Sequence, residues 1–271
     1  MARLRHALSW LYSIFLLDNV LYFYTVVLGS VSLAGSLFDS NGRFQHRVAR
    51  TWARMILRTC RVRLELRGWD QADHARPHIY CANHLSLMDT PVVFALPIEF
   101  RILAKKGLFR IPFLGWHLRR SGHMPVDRAS VRASLRSFEQ AAGKIRAGTS
   151  LFFFPEGERS DDGRLGEFLA GPFLLAIKAG VPVVPVTIVG TREVLPPGSL
   201  HIHARPVTLT VHEPVPTAGM TLRDVERLIL QVRERVASAL PPHMLPPDRV
   251  AAGVDPAAPE TNHRIPTDVT D

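Results

Sequence analysis

Residues His78–Asp89 read HIYCANHLSLMD. The run His78–Ala82 is short and apolar, which predicts a buried strand. Asn83 and His84 follow at its end, and Asp89 stands five residues after His84. On one continuous helix, positions i and i+5 point about 140° apart. A His–Asp pair at this spacing therefore needs His84 in a turn and Asp89 inside the helix after it. The stretch predicts strand, turn and helix, and it makes His84 and Asp89 the candidate reactive pair. A neutral imidazole can take a proton from a hydroxyl near pH 7. A carboxylate on its other nitrogen fixes the tautomer and stabilises the imidazolium that forms.

Spacing alone says little. The chain holds three such matches, the others being His243…Asp248 and His263…Asp268. Both lie in a Pro-rich tail without hydrophobic periodicity and are read as coincidences. Context decides, and it comes from the segments on either side. Ser150–Phe154 (SLFFF) is a second apolar run, and Val183–Val189 a third. Shorter strand patterns fall at Cys60–Leu66, Arg101–Ala104 and Val207–Val211. Helices are expected from about Ser86 to Leu96, after Asp127, over Phe168–Ala179 with a break near Gly171-Pro172, and over Thr221–Leu240. In the last, Thr221 and Asp224 fit a capping box. Leu222, Val225, Leu228, Ile229, Val232 and Val236 form its buried stripe. The stretch 109–116 is apolar, broken by Pro and Gly, and too irregular for a simple core helix.

Strands alternating with helices predict an α/β fold, a central mostly parallel sheet flanked by helices. Ligands of such sheets sit beyond the carboxyl ends of the strands. His84 and Glu156 each follow directly after a strand, so they can share one edge. Ser86 is expected to cap backbone at the helix start, since no G-x-S-x-G elbow surrounds it.

The N-terminus adds a membrane-associated helical segment, residues 1–41. Ala7–Phe38 carries one charge, Asp18. Asn19–Phe38 alone is nearly long enough to span a bilayer. A cleaved leader and a single spanning helix are both open. Arginines on both flanks prefer the same membrane face, so a helical hairpin bending near Asp18-Asn19 fits best. Gly42–Thr59 follows as a basic amphipathic helix. Its stripe is Phe44, Val48, Trp52, Met55 and Ile56, ringed by five arginines. Such a helix suits anionic headgroups. The main domain covers 42–240, and 241–271 is expected to be a disordered Pro-rich tail.

Composition narrows the partners. The chain has 271 residues, 46% hydrophobic, with a net charge of +9. That charge favours anionic surfaces or phosphorylated ligands. No nucleic acid is expected, because the aromatics sit in apolar segments rather than among the arginines. Cys60 and Cys81 lie in apolar runs and read as reduced core residues. His201-x-His203 puts two imidazoles on one strand face, but no third ligand is near in sequence. No metal or other cofactor is expected.

Four blocks now stand in order. They are Asn83-His84-x-Ser86-x-x-Asp89, Gly122-x-x-x-Val126-Asp127-Arg128, Phe154-Pro155-Glu156-Gly157-Glu158-Arg159-Ser160 and Val181-Pro182-Val183-Val184-Pro185-Val186. Together they resemble the glycerolipid acyltransferase family, typified by the 1-acyl-glycerol-3-phosphate acyltransferases, over about residues 60 to 215. The resemblance implies that His84 is the general base and Asp89 orients it. The co-substrate would be acyl-CoA or acyl-carrier protein, and the acceptor a lysophospholipid. It also implies that Arg128, Glu156, Gly157 and Arg159 lie at the acceptor's phosphate. Guanidinium forks suit phosphate, and glycine lets backbone N–H groups approach. Glu156 has a second reading, as a buried carboxylate holding its own turn. Asn83 and Lys105 are expected near the substrate, with a solvated basic rim as the alternative for Lys105. The implied setting is a bacterial-type inner membrane, active site toward the cytoplasm. Glu158 departs from the family, which usually carries a small hydroxyl residue there. The non-enzymatic alternative is a basic, membrane-peripheral lipid-binding protein.

Overall fold

The computed structural model describes residues 10–39, 41–126 and 140–246. Helix α1 (Trp10–Gly35) is unbroken, with a π turn at Ser13–Leu17. The bend expected at Asp18-Asn19 is absent. Asn19 Nδ2 lies 3.1 Å from Ile14 O and 3.0 Å from Phe15 O. That amide gives the carbonyls of the π turn a donor, so the chain stays helical. Among the described residues α1 is the one helix long and apolar enough to cross a membrane.

Helix α2 (Arg43–Thr59) buries Gln45, His46, Ala53, Ile56 and Leu57. The opposite part of the expected stripe turns to α1. Trp52 Nε1 donates to Thr25 Oγ1 at 3.0 Å, and Tyr24 and Thr59 hydroxyls meet at 3.3 Å. The amphipathic pattern was therefore real, but its partner is a protein helix.

Seven strands follow: β1 (Leu64–Arg67), β2 (Ile79–Ala82), β3 (Phe100–Lys105), β4 (Met124–Val126), β5 (Ser150–Phe153), β6 (Val183–Val189) and β7 (Val207–Val211). They form one sheet in the order β1-β7-β6-β2-β5-β3-β4. Every neighbouring pair is parallel except β6 and β7. The central strands are buried on both faces, which explains their continuous apolar runs. Alternation sorts their side chains. Tyr80, Ala82, Phe152, Val184, Val186 and Ile188 face a core with α2 and α3 (Asp89–Phe94). Ile79, Cys81, Leu151, Phe153 and Val183 face the other. That second core is closed by Ala141, Ala142 and Ile145, by α6 (Gly171–Ala179) and by α8 (Val225–Ser238). We number the helical residues 140–146 as α5, and α4 is Leu114–Arg120.

Element ends differ from expectation for local reasons. The strand expected from Cys60 starts at Leu64, because Cys60 still donates to Ile56 O and Arg61 turns with φ +53°. The helix expected from Phe168 starts at Gly171, since Leu169 N–H is drawn to Pro155 O at 2.9 Å. Helix α4 was not expected within the irregular 109–116 stretch. The chain reverses at Phe113, φ +66°, and only then winds into helix. The Thr221–Asp224 capping box forms as expected. Residues 241–246 pack onto the domain, with Met244 and Leu245 buried. Both cysteines are free and buried.

Candidate active site

Strands β2, β5 and β3 are adjacent and parallel, so their carboxyl ends lie along one edge. Asn83 and His84 follow β2, Phe154–Ser160 follows β5, and Lys105 ends β3. Adjacent β6 runs the same way and delivers Thr191–Val194, helix α7, to that edge.

His84 Nδ1 and Asp89 Oδ2 are 2.7 Å apart. Asp89 is the first residue of α3, one turn beyond the His84 bend. The same oxygen accepts the N–H groups of Leu85 at 2.7 Å and Ser86 at 2.8 Å. Asp89 is fully buried, whereas the His84 side chain is 19% exposed. The carboxylate thus fixes both the ring and the turn that carries it. With Nδ1 bound to Asp89, the proton-accepting nitrogen is Nε2. Phe154 stacks on the imidazole, centroids 4.1 Å apart and 16° from parallel. The helix expected from Ser86 begins only at Asp89, because the Asp89 carboxylate captures the preceding N–H groups in a turn. Ser86 bonds backbone but does not cap this helix, whose N-cap is Met88 with no side-chain bond. Ser86 Oγ donates to Leu195 O at 2.6 Å and accepts from Met88 N–H at 3.1 Å in the turn before it.

His84 is held by its backbone as well. Its N–H donates to Glu156 Oε1 at 2.7 Å, and its carbonyl accepts from Ser160 N–H at 2.8 Å. Glu156 Oε2 accepts from Gly166 N–H at 2.9 Å. Both Glu156 oxygens are therefore engaged on backbone. Burial pushes the Glu156 carboxyl up from its ordinary range, against the downward pull of those two N–H donors. Gly157 turns with φ +81°, and its N–H closes the turn onto Phe154 O at 3.0 Å.

Asn83 is buried and extends β2 by its side chain. Nδ2 donates to Ile188 O and Oδ1 accepts from Ile188 N–H, both at 2.8 Å. Lys105 reaches the Glu-Gly-Glu-Arg turn, where Nζ lies 3.2 Å from Glu158 Oε1 in an exposed ion pair. Arg159 is exposed on the same turn. The edge therefore gathers Asn83, His84, Asp89, Lys105, Glu156, Gly157 and Arg159. Arg128 lies outside the described residues. The His201 and His203 rings approach to 4.0 Å. Among the described residues no His, Cys, Asp or Glu cluster forms that could hold a metal ion.

Arg192, the second residue of α7, belongs to no sequence block. It donates through Nη1 to Ser160 O at 2.9 Å and through Nη2 to Asp161 O at 2.6 Å. Its place directly after β6 was the one available signal.

A buried carboxylate behind a partly exposed imidazole, with Arg159 on the facing turn and Lys105 reaching that turn from the end of β3, can deprotonate a hydroxyl beside an anionic group. On this α/β sheet the arrangement defines the acyltransferase class. The acyltransferase family model matches residues 63–189. A chloroplastic 1-acyl-sn-glycerol-3-phosphate acyltransferase of Arabidopsis thaliana is 37% identical over 183 residues, 66% of this chain and 51% of that protein. Its Brassica napus counterpart is 35% identical over 182 residues, 66% of this chain and 53% of that protein. The crystal structure of PlsC, the 1-acyl-sn-glycerophosphate acyltransferase of Thermotoga maritima, superposes with a TM-score of 0.66 at 26% identity. It covers 89% of this chain and 100% of that one. The chain belongs to the glycerolipid acyltransferase family. It spans about half the length of the chloroplastic relatives it matches.

Proposed function

We propose that the protein transfers a fatty acyl group from acyl-CoA or acyl-carrier protein to the free hydroxyl of 1-acyl-glycerol 3-phosphate, giving phosphatidic acid. The observation that carries this reading is the 2.7 Å His84 Nδ1–Asp89 Oδ2 bond behind a partly exposed ring. Nε2 removes the hydroxyl proton as the oxygen attacks the thioester carbonyl. The tetrahedral intermediate collapses, the C–S bond breaks, and the imidazolium returns the proton to the leaving thiolate. Base catalysis of this kind contributes about 100-fold or more. Arg159 and Lys105 pair with the acceptor phosphate, joined by Arg128.

The reading includes a membrane. The outer face of α1 exposes Phe15, Tyr22 and Phe23 at 61–71%. The inner face is bonded to the domain at both ends. Ser13 Oγ donates to Leu200 O at 3.1 Å and accepts from Ile202 N–H at 2.8 Å. Ser32 Oγ meets His117 Nδ1 at 3.0 Å. Residues 13 to 32 rise about 28 Å along a helix, close to the full hydrocarbon thickness. Were α1 to span, the arginine-rich α2 would enter the bilayer with it. We therefore place α1 along the membrane surface, on the cytoplasmic leaflet of a bacterial-type inner membrane.

The test is a panel of donors and acceptors with purified protein in lipid vesicles, read by mass spectrometry of the product. Lysophosphatidic acid should be converted to phosphatidic acid. No product from it, with turnover of glycerol 3-phosphate or another lysolipid, would replace the acceptor. No product from any pair would leave a lipid-binding protein.

A further inference from the structure

We propose that Arg192 is a positioning residue of this centre, setting the spacing between the base His84 and the phosphate ligand Arg159. The inference rests on the acyl-transfer reading above, and it adds a residue outside all four sequence blocks.

The base and the cation come from different strands. His84 leaves the sheet after β2, and Arg159 after β5. One hydrogen bond joins the two loops next to Arg159, from Ser160 N–H to His84 O at 2.8 Å. It holds only while the 158–163 segment keeps its shape. Ser160 Oγ supports that shape locally, accepting from Gly163 N–H at 3.0 Å and reaching Arg164 O at 2.7 Å. These contacts stay within residues 160–164. They shape the turn without fixing it to the sheet.

Arg192 adds a two-point hold from outside the segment. Its two terminal nitrogens grip the successive carbonyls of Ser160 and Asp161. A planar fork with two donors suits such a pair, and a single ammonium cannot reproduce it. Its stem is seated too: a Cβ on Gly163, at φ +84°, would lie 3.2 Å from both Arg192 Cδ and Nε. Arg192 stands two residues beyond Gly190, at the end of β6. Asn83 also bonds β6, at Ile188. His84 and the Arg159 turn are thus referenced to the same strand, one through Asn83 and the other through Arg192. Since Arg192 reaches only backbone of the turn, it acts through position and never touches the reacting atoms.

The experiment compares wild type, Arg192→Ala and Arg192→Lys in vesicles. Steady-state constants for acceptor and donor are measured with and without millimolar methylguanidinium. Misplacing a catalytic frame by about 1 Å costs about 100-fold. Arg192→Ala should therefore lose about 100-fold in kcat/KM for the lysophospholipid, with the donor KM within about twofold. Arg192→Lys should fall between, and methylguanidinium should restore several-fold activity to Arg192→Ala alone. Hydrogen exchange should quicken at Ser160 in Arg192→Ala and slow again with methylguanidinium. Wild-type constants in Arg192→Ala overturn the proposal. So does a loss that neither Lys nor methylguanidinium relieves and that comes with a lowered melting temperature, since that marks a structural role only. A wild type that is inactive on every donor–acceptor pair defeats the acyl-transfer reading instead, and exchange at Ser160 still reports the Arg192 clamp.

Discussion

The backbone N–H of His84 donates to Glu156 Oε1 at 2.7 Å, joining the candidate base to the turn after the neighbouring strand. Glu156 gives its other oxygen to Gly166 N–H. A carboxylate spent on two backbone groups acts on geometry. Glu156→Gln keeps one acceptor and turns the other into a donor facing an N–H. An unsatisfied buried group costs about 1–3 kcal/mol. We expect kcat to fall about 10-fold or more while the acceptor KM stays within about twofold. A raised KM at unchanged kcat would return Glu156 to the acceptor-binding set.

For the reactive pair, His84→Ala should lower acyl transfer by about 100-fold or more with a native circular dichroism spectrum. Asp89→Asn retains an oxygen for the Leu85 and Ser86 N–H groups but removes the charge that stabilises the imidazolium. Its loss should appear in kcat. Full activity in His84→Ala would end the mechanism.

Glu158 competes with any phosphate for Lys105. Because the ion pair is exposed, with side chains 70% and 74% accessible, the competition is weak, about 1 kcal/mol or less. Glu158→Gln should therefore lower the KM for a phosphorylated acceptor by about fivefold at most. The gain should shrink as salt rises. An increase in KM would show that Glu158 binds the acceptor.

Replacing the outward Phe23 of α1 with Asp should weaken flotation with anionic phospholipid vesicles while leaving the melting temperature in detergent near wild type. Phe23 is 61% exposed and has little protein packing to lose. Undiminished flotation would move the membrane contact elsewhere.

Buried histidines set an acid limit. Burial holds His46 and His212 at about 4, below the ordinary histidine value, and pushes His123 well below that ordinary value too. Their folded values lie below their unfolded ones, so the unfolded chain takes up protons first as pH falls. The stability they confer is complete above about pH 6.5 and drains away toward pH 4, about 1.4 kcal/mol per pH unit for each. Denaturant midpoints at pH 7.5, 6 and 5 should fall, and His212→Gln should flatten the trend. A pH-independent midpoint would contradict it.

The contact of His84 with Asp89 was legible because its geometry is local: five residues, one turn, one helix start. The central strands were legible because burial on both faces leaves an uninterrupted apolar run. The course of α1 was not, since a charged residue beside an amide reads equally as a bend or as a helix that satisfies itself. The stripe on α2 named an apolar partner without saying whether lipid or protein supplies it. Arg192 left only its place after β6 as a signal, because an arginine binding carbonyls needs no particular neighbours in sequence. Glu156 had two readings, and the sequence could not show that both of its oxygens accept backbone N–H groups.

Asn83 occupies a slot whose chemistry can be inverted by one atom. It offers a donor to Ile188 O and an acceptor to Ile188 N–H, at 2.8 Å each. Aspartate has the same outline, yet it would set a negative oxygen against that carbonyl, and glutamine would overshoot by a methylene. Hydrolytic loss of the Asn83 amide, an ageing reaction of asparagine, would thus loosen the His84 turn from β6 without changing His84 or Asp89 themselves. The two bonds that hold this amide, and its burial, also shield it from that reaction.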